Sequence, residues 1–202
     1  MKLIKPSVEL LSITPDAELL IEEAGRLCYK SQEKITEHSH IAFINNIIKS
    51  GHLSVLEHAS MTFKFTTDRA VTHQLVRHRI ASFSQSSQRY CNYSKDKFGN
   101  EITFIEPYSY NCWGSIAKAK FINYLTFVEN TYMDLIKEGL KAEQARSVLP
   151  NCTMTEIITT ANIRQWKHIF DIRCKKDAQD DIRMLMIEAR NIAKTKFNSE
   201  VF

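Results

Sequence analysis

Glycine and proline are scarce in this 202-residue chain, at five and four residues, which leaves no room for a long flexible linker or a low-complexity tract. Long apolar runs are missing too. None approaches the roughly 20 residues that cross a bilayer, so no membrane partner is expected. The opening MKLIKPSVELL lacks an apolar stretch ending in small residues, so no signal peptide is expected and the cytoplasm is the expected compartment. Cysteines are few and odd in number: Cys28, Cys91, Cys112, Cys152 and Cys174, with no CxxC pair. That argues against a disulfide framework and against a structural zinc site. The histidines do not make up the difference. His52 and His58 are six apart and His73 and His78 five apart, so neither pair shares a helix face well, and no metal is expected. HExxH, GxxxxGK[ST] and GxGxxG are all absent, so a zinc protease, a P-loop and a Rossmann-type cofactor grip are not indicated.

What is present suits an ordinary globular chain. The length of 202 residues fits one domain over residues 1–202, or one domain with a helical extension, and the apolar fraction of 44% and charged fraction of 25% are ordinary for a globular protein. The net charge of +4 comes from scattered arginines rather than a lysine-rich tail. Guanidinium groups embedded among apolar and small residues suit compact anions better than a duplex surface.

Periodicity predicts an opening strand over 2–13, then a helix with Thr14 or Asp16 as cap and Pro15 near its first turn. A second helix is predicted over about 36–50, stopped by Gly51. Met61, Phe63 and Phe65 alternate with polar residues, which predicts a half-buried strand at 60–67. A helix over 68–79, capped by Asp68, would place Arg77, His78 and Arg79 in its last turn. A short strand is predicted at 101–105. A long helix follows at 114–138, with Phe121, Tyr124, Leu125, Val128, Tyr132, Leu135 and Ile136 inward and Gly139 as its stop. The run 141–150 reads as a short helix, and CTMTEIITTA as a strand. Asn162 can cap the next helix, and a final one covers 177–196. The order is mixed α/β or α+β, with helices predominant around a mixed or antiparallel sheet.

The chemistry concentrates in RHRIASFSQSSQR, residues 77–89. At a helix end, three cations can serve simply as partners of the macrodipole. The uncharged Ser/Gln segment that follows, closed by Arg89, points instead to a donor array for phosphates and carbonyl-rich rings. Arg146 and Arg173 also sit beside apolar or small residues, where a guanidinium calls for an anion. From these residues alone, three readings stand: an enzyme of phosphorylated ligands, a single-stranded nucleic-acid binder that stacks bases on Tyr90 and Tyr93, and a set of interface salt bridges.

Arg77-His78-Arg79, seven residues and then Ser87 match the RHR-x7-S motif of the flavin-dependent thymidylate synthases. GHLSVLEH at 51–58 resembles that family's GHxSxxEH segment, and QARSVLP resembles its AR-x-x-LP segment. NIRQWKHIFDIR and AQDDIR resemble its C-terminal helices. Val55, Gln85, His168 and Asp177 depart from residues frequent in the family.

The resemblance implies a homotetramer of α/β subunits whose active sites are shared between chains. It implies reductive methylation of deoxyuridylate (dUMP) to thymidylate (dTMP), with no enzyme nucleophile. Carbon would come from 5,10-methylenetetrahydrofolate and electrons from FAD and NADPH. By position, it assigns Ser54, Arg77, His78, Arg79, Gln85, Asn162, Arg164 and His168 to the flavin. Gln74, Arg77, Gln85, Ser86, Ser87, Gln88, Arg89, Arg146 and Arg173 go to dUMP. Arg173 would face the uracil ring, and His52 would line the pocket where the rings stack. None of the five cysteines lies in a Pro-Cys-His context like that of the unrelated cysteine-dependent thymidylate synthases.

Overall fold

A computed structural model describes all residues, 1–202. It is a mixed α/β protein in which helices predominate. The chain divides into two compact units. One gathers Met1–Ser7, Phe65–Arg77 and Ser84–Ile157, and the other gathers Val8–Lys64, His78–Phe83 and Ile158–Phe202.

The opening strand is in fact two, β1 (Lys2–Ile4) and β2 (Ser7–Ile13). The break falls at Pro6, which has no N–H to give to a ladder. β1 pairs in parallel with β5 (Thr103–Ile105), with Leu3 opposite Phe104. A four-stranded sheet has the order β2-β3-β6-β4, where β3 is Ser60–Asp68, β4 is Ser82–Gln85 and β6 is Met154–Asn162. Thr14 bonds to Ser60 and Glu9 meets Lys64, so β2 runs antiparallel to β3. The pairs Ala59–Ile163 and Thr62–Thr160 give the same sense to β3 and β6. Met61, Phe63 and Phe65 are buried, as their alternation predicts.

In the unit holding Val8–Lys64, α1 (Ala17–Leu27) packs on α2 (Ser39–Lys49). Both α1 and α6 (Ile163–Arg173) pack on the 3-10 segment Leu53–His58, which buries Leu56. α6 also packs on α7 (Asp180–Lys194). The predicted cap of α1 does not form. Asp16 takes a left-handed backbone with φ 50° and makes no side-chain cap, while the Thr14 hydroxyl is committed to Ser60. Asp68 and Asn162 do cap their helices, accepting the N–H groups of Val71 and Gln165.

The C-terminal segment is strapped down in this unit. The buried Glu18 carboxylate accepts the backbone N–H groups of Asn198 and Ser199, at 2.9 and 2.8 Å, and Phe202 packs edge-on against Phe170. Glu18→Ala leaves those donors unmet and is expected to cost about 1–3 kcal/mol. Urea denaturation checks it, with a midpoint equal to wild type as the failing result.

The other unit closes on Ile102, Phe104, Leu125, Val128, Tyr132 and Ala145. Leu125, Val128 and Tyr132 come from α4 (Ser115–Lys137), whose Tyr124 is half exposed rather than inward. The run 141–150 is helical only over α5 (Ala142–Ala145) and then tightens to a 3-10 turn at Arg146–Val148.

One correction bears on the site. α3 (Arg69–Leu75) ends before the RHR triplet, so the three cations are not in a helical last turn. His78 is buried while Arg77 and Arg79 are exposed. A continuing helix would set these neighbours about 100° apart on one surface; the chain instead turns off to bury the ring between them. β4 then follows, in a Ser/Gln-rich run too poor in apolar alternation to read as a strand. It is an edge strand.

Candidate active site

α6 begins where Asn162 caps it, so Arg164, Lys167, His168 and Asp171 fall on one helix face. With Asn162, Leu53, Glu57 and Ile80 they line a groove of about 470 Å³. Arg164 Nη1 donates to Glu57 Oε1 at 2.6 Å. A second cavity of about 410 Å³ shares Leu53 and Arg164 and adds His52, Ser54, Cys28 and Tyr29. Ser54, Asn162, Arg164 and His168, expected on the flavin side, and His52, expected where the rings stack, are thus gathered along two cavities with common walls. Asn162 has its side-chain oxygen committed to capping.

His78 anchors the chemistry of this unit. Its Nε2 accepts Arg173 Nε–H at 3.0 Å, and its ring meets His168 edge to face, 6.3 Å between centroids. Burial, and then the neighbouring Arg173 and His168, hold its pKa down at about 4 against an ordinary 6.5. At neutral pH the ring is therefore uncharged, and its proton sits on Nδ1 because Nε2 is the acceptor. Burial also lowers the Arg173 pKa, but a guanidinium keeps its proton at any working pH.

The substrate-side residues mostly belong to the other unit. Gln85 donates its amide to Thr72 Oγ1 and Thr155 Oγ1, at 3.1 and 3.2 Å. Ser86 Oγ lies 2.9 Å from Thr155 Oγ1 and also accepts the Glu156 N–H. Both side chains therefore stitch β4 to β6. Ser87 Oγ accepts the Arg89 N–H, and its carbonyl accepts the N–H groups of Tyr90 and Cys91 in a tight turn. Gln88 buries its amide nitrogen without a hydrogen-bond partner. Arg89 pairs with Glu143 at 3.0 Å and lies over the Tyr90 ring. Gln74 is in the last turn of α3. Arg77, Arg89 and Arg146 are exposed and Arg173 is half-buried, so the four guanidinium groups are not sunk in apolar core.

Tyr93 packs edge-on against Tyr132, and burial pushes its pKa up to about 12 from an ordinary 10. The folded form keeps its phenolic proton where the unfolded chain loses it, so stability is level below pH 10 and falls from 10 to 12. Ultraviolet titration of Tyr93→Phe against wild type is expected to remove a transition near pH 12. Removal of one near 10 would contradict it.

Residues 9–197 match the family model described as thymidylate synthase complementing protein. A flavin-dependent thymidylate synthase of Geobacter sulfurreducens is 40% identical over 199 residues, covering 93% of this chain and 82% of that protein. One of Nitratidesulfovibrio vulgaris is 38% identical, covering 89% and 78%. The chain belongs to the flavin-dependent thymidylate synthase family. It is therefore an enzyme, and its cofactor is a flavin. Among solved structures, the UMP/dUMP methylase PolB from Streptomyces cacaoi, bound with 5-Br dUMP, superposes with a TM-score of 0.79 at 22% identity. That match covers 96% of this chain and 93% of PolB, and it establishes the fold.

The residues present fit a flavin nucleotide. Apolar Leu53 and Ile80 offer a wall for a planar ring, and Arg164, Lys167 and His168 supply the donors that its phosphates and ring edge need. Lys167, Glu57 and Ile80 were not singled out from the sequence. Lys167 and Ile80 had usable signals. Lys167 lies three residues after Arg164, on the same helical face. Ile80 directly follows the cation triplet and is 71% exposed, an unusual cost for a branched apolar side chain without a ligand.

Proposed function

We propose that the chain makes dTMP from dUMP by reductive methylation of uracil C5. The carbon comes from 5,10-methylenetetrahydrofolate, and NADPH is the reductant. FAD, when bound, supplies the two-electron chemistry that side chains cannot. The observation that carries the reading is the RHR-x7-S segment together with a charged Arg173 held on the neutral ring of His78.

Each of the chain's own residues has a task. Arg173 donates to the O2/N3 edge of uracil and stabilises negative charge as it develops there. It lowers the N3 pKa without losing its own proton. Arg77, Arg89, Arg146 and Ser87 hold the substrate phosphate and sugar, with Gln74, Gln85, Ser86 and Gln88 on the same ligand. Ser54, Arg79, Arg164 and His168 hold the flavin nucleotide, joined by Arg77, His78, Gln85 and Asn162. His52 lines the space where the rings stack at transfer distance and water is kept out.

No side chain attacks the substrate. Ser87 offers its oxygen to a backbone N–H. Burial raises the Cys152 thiol to about 11 and raises that of Cys174 as well, which makes thiolates scarce. The 202 residues act as one functional domain. They assemble as a homotetramer with active sites between subunits, and work in the cytoplasm.

The test is an anaerobic turnover assay with dUMP, methylenetetrahydrofolate, FAD and NADPH. Thymidylate is expected with all four and lost when the folate or the reductant is omitted. A colourless protein that binds single-stranded nucleic acid and makes no dTMP would overturn the reading.

A further inference from the structure

α4 (Ser115–Lys137) buries one side and leaves the other uncovered. Leu125, Val128 and Tyr132 carry the buried side. Ile116, Lys120, Tyr124, Phe127, Thr131 and Asp134 recur every three or four residues, so they form a second stripe on the outward side. Three of its members are large and apolar: Ile116 is 73% exposed, Phe127 67% and Tyr124 50%. Ile80 and Tyr29 are as exposed, but they line the two cavities already described. The apolar residues of this stripe line neither.

We propose that the outward stripe of α4 docks on the same stripe of a second copy of this chain, the two helices running antiparallel about a two-fold axis at Phe127. The contact rests on the reading that copies associate and names one surface on which they do. It does not depend on the chemistry of the active site.

Charge placement decides the occupant. Lys120 and Asp134 are the charged members of the stripe, one on each side of Phe127. Both lie seven residues from it, about 10 Å along the helix axis. An antiparallel copy centred on Phe127 therefore sets Lys120 opposite Asp134 of the partner subunit, and the symmetry repeats the pair on the other side. A parallel copy in register would set lysine on lysine and aspartate on aspartate, which is costly. Both groups are available for the contact. Lys120 has no ion pair within the chain, and Asp134 has an exposed one to Lys137 at 3.2 Å, which costs little to give up. Phe127 then packs on its own symmetry copy at the centre, with Tyr124 beside it. One cation and one anion give the stripe no basic excess, so an anionic membrane or a nucleic acid suits it less well. A contact between two helix stripes falls at the small end of interfaces, below about 1,200 Å² in total, so by itself it is expected to dissociate in the micromolar range.

Sedimentation velocity over a micromolar dilution series tests the contact. Phe127→Glu puts two carboxylates on the axis and is expected to halve the sedimenting mass. Its Tm is expected to match wild type, because the side chain it replaces is mostly exposed. Lys120→Glu and Asp134→Lys each bring like charges together at two places. Each is expected to raise the concentration at which the copies separate by on the order of tenfold. The double variant Lys120→Glu/Asp134→Lys restores opposite charges and is expected to return to within about threefold of wild type. A Phe127→Glu of wild-type mass, or a double variant no tighter than the single ones, overturns the contact. Flotation of wild type with phosphatidylglycerol vesicles, abolished by Phe127→Glu, would also overturn it and assign the face to a membrane. The wild-type mass separately decides the homotetramer reading. A wild type of two chains that Phe127→Glu splits into single chains keeps this contact and ends that reading, whereas a tetramer that Phe127→Glu leaves intact does the reverse.

Discussion

Arg173→Ala lowers kcat for dTMP formation by about 10²–10³-fold, while bound flavin, subunit assembly and thermal stability stay near wild type. The expected size is that of removing one preorganised donor from a site of developing negative charge. Stability is spared because Arg173 is half-buried at a helix end and its bond to His78 is to a neutral ring. Arg173→Lys is expected to recover little, because an ammonium cannot hold both His78 and a ring edge in one plane. A variant that lost assembly and flavin along with turnover would mark Arg173 as structural and remove it from the mechanism.

Trp166→Ala is expected to destabilise the fold by about 3–5 kcal/mol. The indole is fully buried, stacked on Phe170 with centroids 5.6 Å apart and edge-on to Phe63 at 5.0 Å. Its Nε1–H is donated to the Met61 carbonyl at 2.9 Å, so alanine leaves both a cavity and an unmet acceptor. In a chain of this length, that corresponds to a fall in Tm of about 10 °C. The same ring seats α6, which carries Arg164, His168 and Arg173, so flavin retention falls with stability. Calorimetry checks it, and a Tm within about 2 °C of wild type would show that the cluster repacks.

What could be read in advance was local. The alternation of Met61, Phe63 and Phe65 specified a strand because burial on one face has period two. Asp68 and Asn162 were legible as caps because their short acceptors reach N–H groups three residues on. Gly51 and Gly139 stop their helices with φ of 72° and 92°. The guanidinium and hydroxyl donors of 77–89 pointed by themselves only to phosphates and carbonyl-rich rings; the flavin and the pyrimidine nucleotide came from the resemblance of the motif segments to the family.

What could not be read depends on partners far along the chain. β4 exists because Gln85 and Ser86 find Thr155 some 70 residues later. Helical continuation through Arg77–Arg79 was locally reasonable, and it fails because burial of His78 beside Arg173 outweighs one more helical turn. Arg89 and Arg164 meet Glu143 and Glu57 across 54 and 107 residues, which periodicity does not encode.

The most direct measurement is a single turnover. The bound flavin is reduced without oxygen by stoichiometric NADPH, dUMP and methylenetetrahydrofolate are added, and flavin absorbance and dTMP are followed together. The account predicts one dTMP for each flavin reoxidised, with no covalent protein–uracil species in the quenched mixture. Flavin reoxidised without dTMP, or a uracil adduct on Ser87 or a cysteine, would contradict it.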